Sequence, residues 1–167
     1  ATWRGTVRSL FRDATYREER YAALAIARRC PAHLTAEPEP SLDLLDEIIV
    51  TGAWWDFVDE TAIRLLGPLL LRHPAAVRPV VRRWAGDADR WRRRAAVICQ
   101  IGAKDRTDTA LLAEVIEVNL ADPDFFLRKG IGWALRQHAR LDPDWVRTFV
   151  ATHDLSPLSR REALKHL

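Results

Sequence analysis

Cysteine, lysine and long apolar runs are all scarce in this 167-residue chain. Cys30 and Cys99 have no close His or Cys partner, and the five histidines (His33, His73, His138, His153, His166) show no paired ligand spacing. No zinc signature is therefore present, and no metal or other cofactor is expected. Cys99 lies in the apolar stretch Ala95 to Ile101, which predicts a buried free thiol. Unpaired thiols favour a reducing, cytoplasmic setting. No apolar run approaches the roughly 20 residues of a membrane span. The start shows no secretory n-region and h-region, so no membrane partner is expected. Strand-like alternation is missing as well.

What is present is arginine and a helical apolar pattern. Apolar residues make up 48% of the chain, enough for a packed core, and the length suggests one domain over 1–167. The formal net charge is only +3, but arginine greatly outnumbers lysine and clusters in runs. Arginine reads phosphate well because its planar fork donates two parallel hydrogen bonds. The plainer reading of such runs is a solvated helix face.

Helical periodicity predicts helices over roughly 3–11, 17–29, 41–50, 55–71, 74–85, 89–102, 107–119, 124–139, 143–152 and 159–167. Breaks are expected at Thr35 to Pro40, at Gly52, at His73-Pro74, at Gly86-Asp87 and at Asp122-Pro123-Asp124. Ser159 with Glu162 reads as a capping box. Ten short helices pair into five two-helix units, an all-α HEAT-like solenoid whose second helices would line a concave side.

Asp59, Arg94 and Lys129 follow one another at intervals of 35 residues (94 − 59 and 129 − 94). Each lies early in a helical segment, and Arg160-Arg161-Glu162 follows about one period later. In a repeat array, equivalent positions share a face. That face would carry a carboxylate, cations and aromatics together, a mixture suited to a polyanion with a cationic centre. Trp55 and Asp59 are four apart and share a helix face; Lys129, Trp133 and Arg136 form a second stripe. Each has a plainer reading: Asp59 as a first-turn carboxylate favoured by the helix dipole, Trp55 as core. Gly130 and Gly132, inside a helix, suggest close packing or close approach of a ligand. Trp3, Trp84, Trp91 and Trp145 read as core or inter-repeat wedges, and Asp56 and Glu60 as first-turn residues without chemistry.

At these residues the chain resembles the bacterial DNA alkylation repair glycosylases of the AlkD-like family. The resemblance rests on Tyr16 to Leu24, the Trp-Trp-Asp-x-Val-Asp motif at 54–59, Trp91 to Ala95, Lys129 to Arg136, and Leu158 to Lys165. It covers essentially the whole chain. It implies a HEAT-like solenoid with a concave groove for duplex DNA, and excision of N3- and N7-alkylated purines. By position it implies Asp59 as the catalytic carboxylate and Trp55 and Trp133 as aromatic cleft residues. Arg94 becomes a cleft arginine that meets DNA, with Lys129 and Arg136 beside the backbone. Arg93, Arg160 and Arg161 complete the expected DNA-binding set. Gly130 departs from the alanine expected there. The family usually carries further N-terminal helices, and these are expected to be absent here. A monofunctional, monomeric enzyme acting on alkylated duplex DNA is expected. The competing readings are a HEAT-type scaffold for acidic protein partners and a non-catalytic DNA-structure binder.

Overall fold

A computed structural model describes residues 2–167. Among these, every regular element is helical. The pairs are α1 (Trp3–Arg12) with α2 (Arg17–Arg29), and α4 (Pro38–Gly52) with α5 (Trp55–Thr61). Next come α7 (Pro74–Ala85) with α8 (Arg90–Ile98), α9 (Thr109–Glu117) with α10 (Phe125–His138), and α11 (Pro143–Thr152) with α12 (Pro157–Ala163). Two short helices fill the joints. α3 (Pro31–Ala36) links the first two pairs, and α6 (Gly67–Arg72) continues α5 through the π-helical segment Ala62–Leu66.

The pairs stack in two layers. The first helices pack in series, α1 on α4, α4 on α7 and α7 on α9. The second helices do the same, α2 on α5, α5 on α8, α8 on α10 and α10 on α12. Apolar faces meet between the layers, with Leu44, Ile48, Val58, Leu65, Ile98 and Ile116 almost wholly buried. Each such side chain contributes on the order of 1.5–3 kcal/mol.

Local chemistry starts the helices. Asp89, Asp108, Asp124, Asp142 and Ser156 accept from backbone N–H groups of the turn that follows. This satisfies donors that an open helix end leaves orphaned. Prolines 31, 38, 74, 143 and 157 open helices where no N–H is needed.

Three expectations need correction. The break expected over Thr35 to Pro40 is narrower than that: Glu37 alone, extended at φ −137°, separates α3 from α4. Pro38 and Pro40 lie in the first turn of α4, where proline costs no hydrogen bond. Ser159 is not a cap. Ser156 caps α12, while Ser159 is buried and its hydroxyl donates to the Arg128 carbonyl at 2.9 Å. The helix expected over 89–102 stops at Ile98. The Gln100 side chain then binds the backbone of Asp108 twice, donating to O at 3.0 Å and accepting from N at 2.8 Å, which shapes residues 99–108 into a loop with a 3₁₀ turn at Lys104–Arg106.

The 35-residue interval also means contact. Arg12 pairs with Glu47, Tyr21 with Asp56 and Arg94 with Asp59, each 35 apart. A residue and its counterpart one repeat later are neighbours on adjacent helices.

Candidate active-site cleft

Asp59 is presented by an abrupt turn. Ala53 adopts a left-handed conformation (φ 42°) after α4, and Trp54 is extended before α5 begins. That leaves Trp54 and Trp55 at the surface, 42% and 44% exposed, while Phe57 and Val58 enter the core. One turn on, Asp59 lies on the same side as Trp55. Both line an open cleft of about 450 Å³, together with Trp133 and Gln137 from α10 and with Ile63 and Arg64 from the π segment. Trp55, Asp59 and Trp133, expected as a site from sequence, are thus brought to one concavity.

Arg94 holds Asp59 from behind. Nε and Nη2 of Arg94 donate to the two carboxylate oxygens, each at 2.7 Å. Its third nitrogen, Nη1, donates to the Phe126 carbonyl. The side chains are 7% and 13% exposed. Burial pushes the Asp59 carboxyl above the ordinary aspartate range, and the two hydrogen bonds from Arg94 oppose that shift. Gly130 makes room for this arrangement: a Cβ there would lie 3.2 Å from Arg94 Nη1 and 3.3 Å from Ile98.

The other acids of the cleft are also engaged. Asp56 binds Arg17 and the Tyr21 hydroxyl, and Glu60 lies 3.3 Å from Arg28. Arg17 also sits over the rings of Tyr21, Trp54 and Phe57. Asp56 and Glu60 therefore tie α5 to α2.

The cations expected to face DNA divide sharply. Arg94 is buried as described, with its guanidinium spent on protein groups. Arg93 reaches the carbonyls of Asp87 and Ala88 at 2.6 and 3.0 Å and lies 3.0 Å from Asp122, with its side chain 17% exposed. Both are inter-repeat ties in this structure, not open cations. Lys129 and Arg136 lie one on each oxygen of Glu162, at 3.0 and 2.5 Å. Those contacts hold the Glu162 carboxyl below its usual range, Lys129 first and then Arg136. Arg160 and Arg161 are exposed on α12, and Arg160 lies 3.5 Å from the His153 carbonyl. Gly132 serves packing: a Cβ would come within 2.5 Å of Glu162 Cβ and 2.8 Å of the Ser159 carbonyl. Trp84 and Trp91 are buried, and Trp145 stacks on Phe149.

Two cleft residues escape a sequence reading. Gln137 is four residues after Trp133, a signal that was available. Arg64 is five after Asp59, off-face in an α-helix; the π turn, in which the Gly67 N–H reaches the Ala62 carbonyl, carries it into the same cleft. Cys99 is buried and its thiol is pushed up to about 12, so it is inert. No cluster of three or more metal-ligating side chains exists among the described residues, and no helix there is long and apolar enough to cross a membrane.

The fold is shared with a protein described as a predicted DNA alkylation repair enzyme from Enterococcus faecalis. The two are 27% identical and superpose with a TM-score of 0.81 over 99% of this chain and 75% of that one. No curated protein matches. The family model for DNA alkylation repair enzymes matches residues 1–167. The chain belongs to the family of DNA alkylation repair enzymes.

Proposed function

We propose that the protein is a monofunctional DNA glycosylase, which hydrolyses the N-glycosidic bond of cationic N3- or N7-alkylated purines in duplex DNA. The observation that carries this reading is the Asp59 carboxylate, fixed by Arg94 in the wall of a cleft that also presents the indoles of Trp55 and Trp133.

Alkylation at N3 or N7 leaves the purine cationic. The base departs with the bonding electron pair and becomes neutral, so no strong general acid is needed. Positive charge then develops on the sugar. A carboxylate beside it stabilises that charge by an amount of order a few kcal/mol in a water-poor site. Asp59 also accepts a hydrogen bond from the water that attacks C1′, whose proton is released as the new C–O bond forms. Arg94 acts through Asp59: it orients the carboxylate and favours its ionised form against burial. The indoles attract the cationic nucleoside by roughly 0.5–2 kcal/mol per contact. Lys129 is engaged with Glu162 at 3.0 Å, which favours hydrolysis over an imine route.

The test is release of free base from duplex DNA carrying 7-methylguanine, by the wild type and by Asp59→Asn. The expected result is release by the first, near-complete loss in the second, and unchanged DNA binding by both. Equal release by the two would refute the role of Asp59. Binding without release by either would favour the non-catalytic DNA binder.

A further inference from the structure

Just over half of the arginines pair with carboxylates among the described residues, and three of those that do not lie together. Arg64, Arg72 and Arg106 are exposed, and none forms an ion pair among the described residues. All three line one hollow of about 440 Å³. This hollow shares Ile63, Arg64 and Gly102 with the Asp59 cleft, so the two concavities are continuous. We propose that Arg64, Arg72 and Arg106 form a phosphodiester-binding hollow, which grips the backbone of the DNA whose damaged nucleoside lies in the Asp59 cleft; the inference rests on the proposed function.

Several separate features of the chain build this hollow. Arg64 and Arg72 come from the π segment and α6, and Arg106 from the loop after α8. Gly67 lets these segments meet, since a Cβ there would run into the Cys99 carbonyl. The π turn carries Arg64 toward the cleft, as described above. The loop is held in shape by the two hydrogen bonds between Gln100 and Asp108. Within it Lys104 takes a left-handed conformation (φ 56°), unusual for a residue with a Cβ. Such strain persists where the surrounding structure enforces it. Asp108, two residues after Arg106, is already paired with Arg78 at 2.5 Å. Asp105 is exposed and forms no ion pair among the described residues.

Unpaired guanidinium groups around one hollow suit an anion with several acceptor oxygens. Phosphodiesters supply these in series, and each arginine can bind one bidentately. Such contacts position a duplex without reading its sequence. They release counterions, so their signature is a salt dependence.

The experiment measures affinity for a short duplex across a range of salt concentrations, for the wild type and the triple variant Arg64→Ala, Arg72→Ala, Arg106→Ala. Three lost phosphate contacts at about 0.9 each make the slope of log affinity against log salt shallower by about 2.7. Arg83→Ala is the control: Arg83 is exposed on α7 in the other helix layer, beside Asp43 and Asp46. Its slope should equal that of the wild type. The Asp59→Asn protein should also keep the full slope while losing excision. Because the three arginines break no ion pair when removed, the triple variant should keep the wild-type unfolding midpoint. A wild-type slope in a folded triple variant that still binds and excises would overturn this inference alone. A wild type that binds no duplex would overturn the proposed function and this inference with it.

Discussion

The Asp59–Arg94 pair makes a sharp energetic prediction. Replacing Arg94 by leucine strands a buried carboxylate and removes the donor to the Phe126 carbonyl. Removing one partner of a buried pair costs about 3–5 kcal/mol. At roughly 2–4 °C per kcal/mol for a chain of this size, the midpoint should fall by about 6–20 °C. Replacing both partners, Asp59→Leu with Arg94→Leu, removes the stranded charge and should cost less than Arg94→Leu alone. The pH dependence has a definite sign. Without Arg94, burial holds the folded Asp59 carboxyl above its unfolded value near 3.9. The folded state then binds more protons than the unfolded state within that window, so the variant should recover stability as pH falls through it. The double variant lacks this group and serves as the reference for all other carboxylates. Urea unfolding at several pH values measures each quantity. A loss under about 1 kcal/mol for Arg94→Leu, or a double variant equal to the sum of the two single changes, would refute the reasoning.

Two further predictions concern α10 and α12. Gly132→Ala places a Cβ 2.5 Å from Glu162 Cβ and 2.8 Å from the Ser159 carbonyl. Overpacking of this kind costs about 1–3 kcal/mol, so calorimetry should show a drop of roughly 2–12 °C. Gly86→Ala meets nothing within 4 Å and should leave the midpoint almost unchanged. Glu162→Gln weakens the hold on Lys129 and Arg136. Because the Glu162 carboxyl is held below its usual range, its contribution is present above the unfolded value near 4.3 and is lost as pH falls through the lower folded one. The stability gap between wild type and Glu162→Gln should therefore be open at pH 7 and close in acid; a gap independent of pH would count against the clamp.

The helix pairing and much of the cleft were legible because both follow from periodicity. Trp55 and Asp59 share a face through their spacing, and Trp133 follows from the same rule applied to α10. Partners across repeats were not legible from local pattern. Arg92, Arg93 and Arg94 look like one basic patch in sequence. Successive residues point about 100° apart on a helix, and each finds a different acid. Arg92 binds Asp46 on α4, Arg93 meets Asp122 before α10, and Arg94 takes Asp59 on α5. The clue was the 35-residue interval itself, which marks neighbours as well as equivalents. Pro38 and Pro40 misled in another way, since proline breaks a helix only beyond its first turn. The π segment leaves no comparable mark in the apolar pattern.

These facts change what a run of arginines means in a stacked helical array. Each repeat must be joined to the next through surfaces that also carry polar groups. A cation at the start of a second helix meets the preceding helix at one period's distance, so a carboxylate there will capture it. Arg92, Arg93 and Arg94, clustered at such a position, are drawn into the protein, whereas Arg160 and Arg161, with Phe125 and Phe126 one period before them, stay exposed. An arginine available to a ligand must sit where no carboxylate falls one repeat away. Arg64 and Arg106 meet that condition; Arg72 has Glu37 35 residues before it (72 − 37), but Glu37 is already paired with Arg4. Asp59 is the reverse case. Its arginine neither neutralises it in solvent nor competes openly for DNA, because it binds from the buried side and leaves the carboxylate at the cleft wall. The repeat thus supplies the carboxylate with its partner, and departures from the repeat supply the free cations around it.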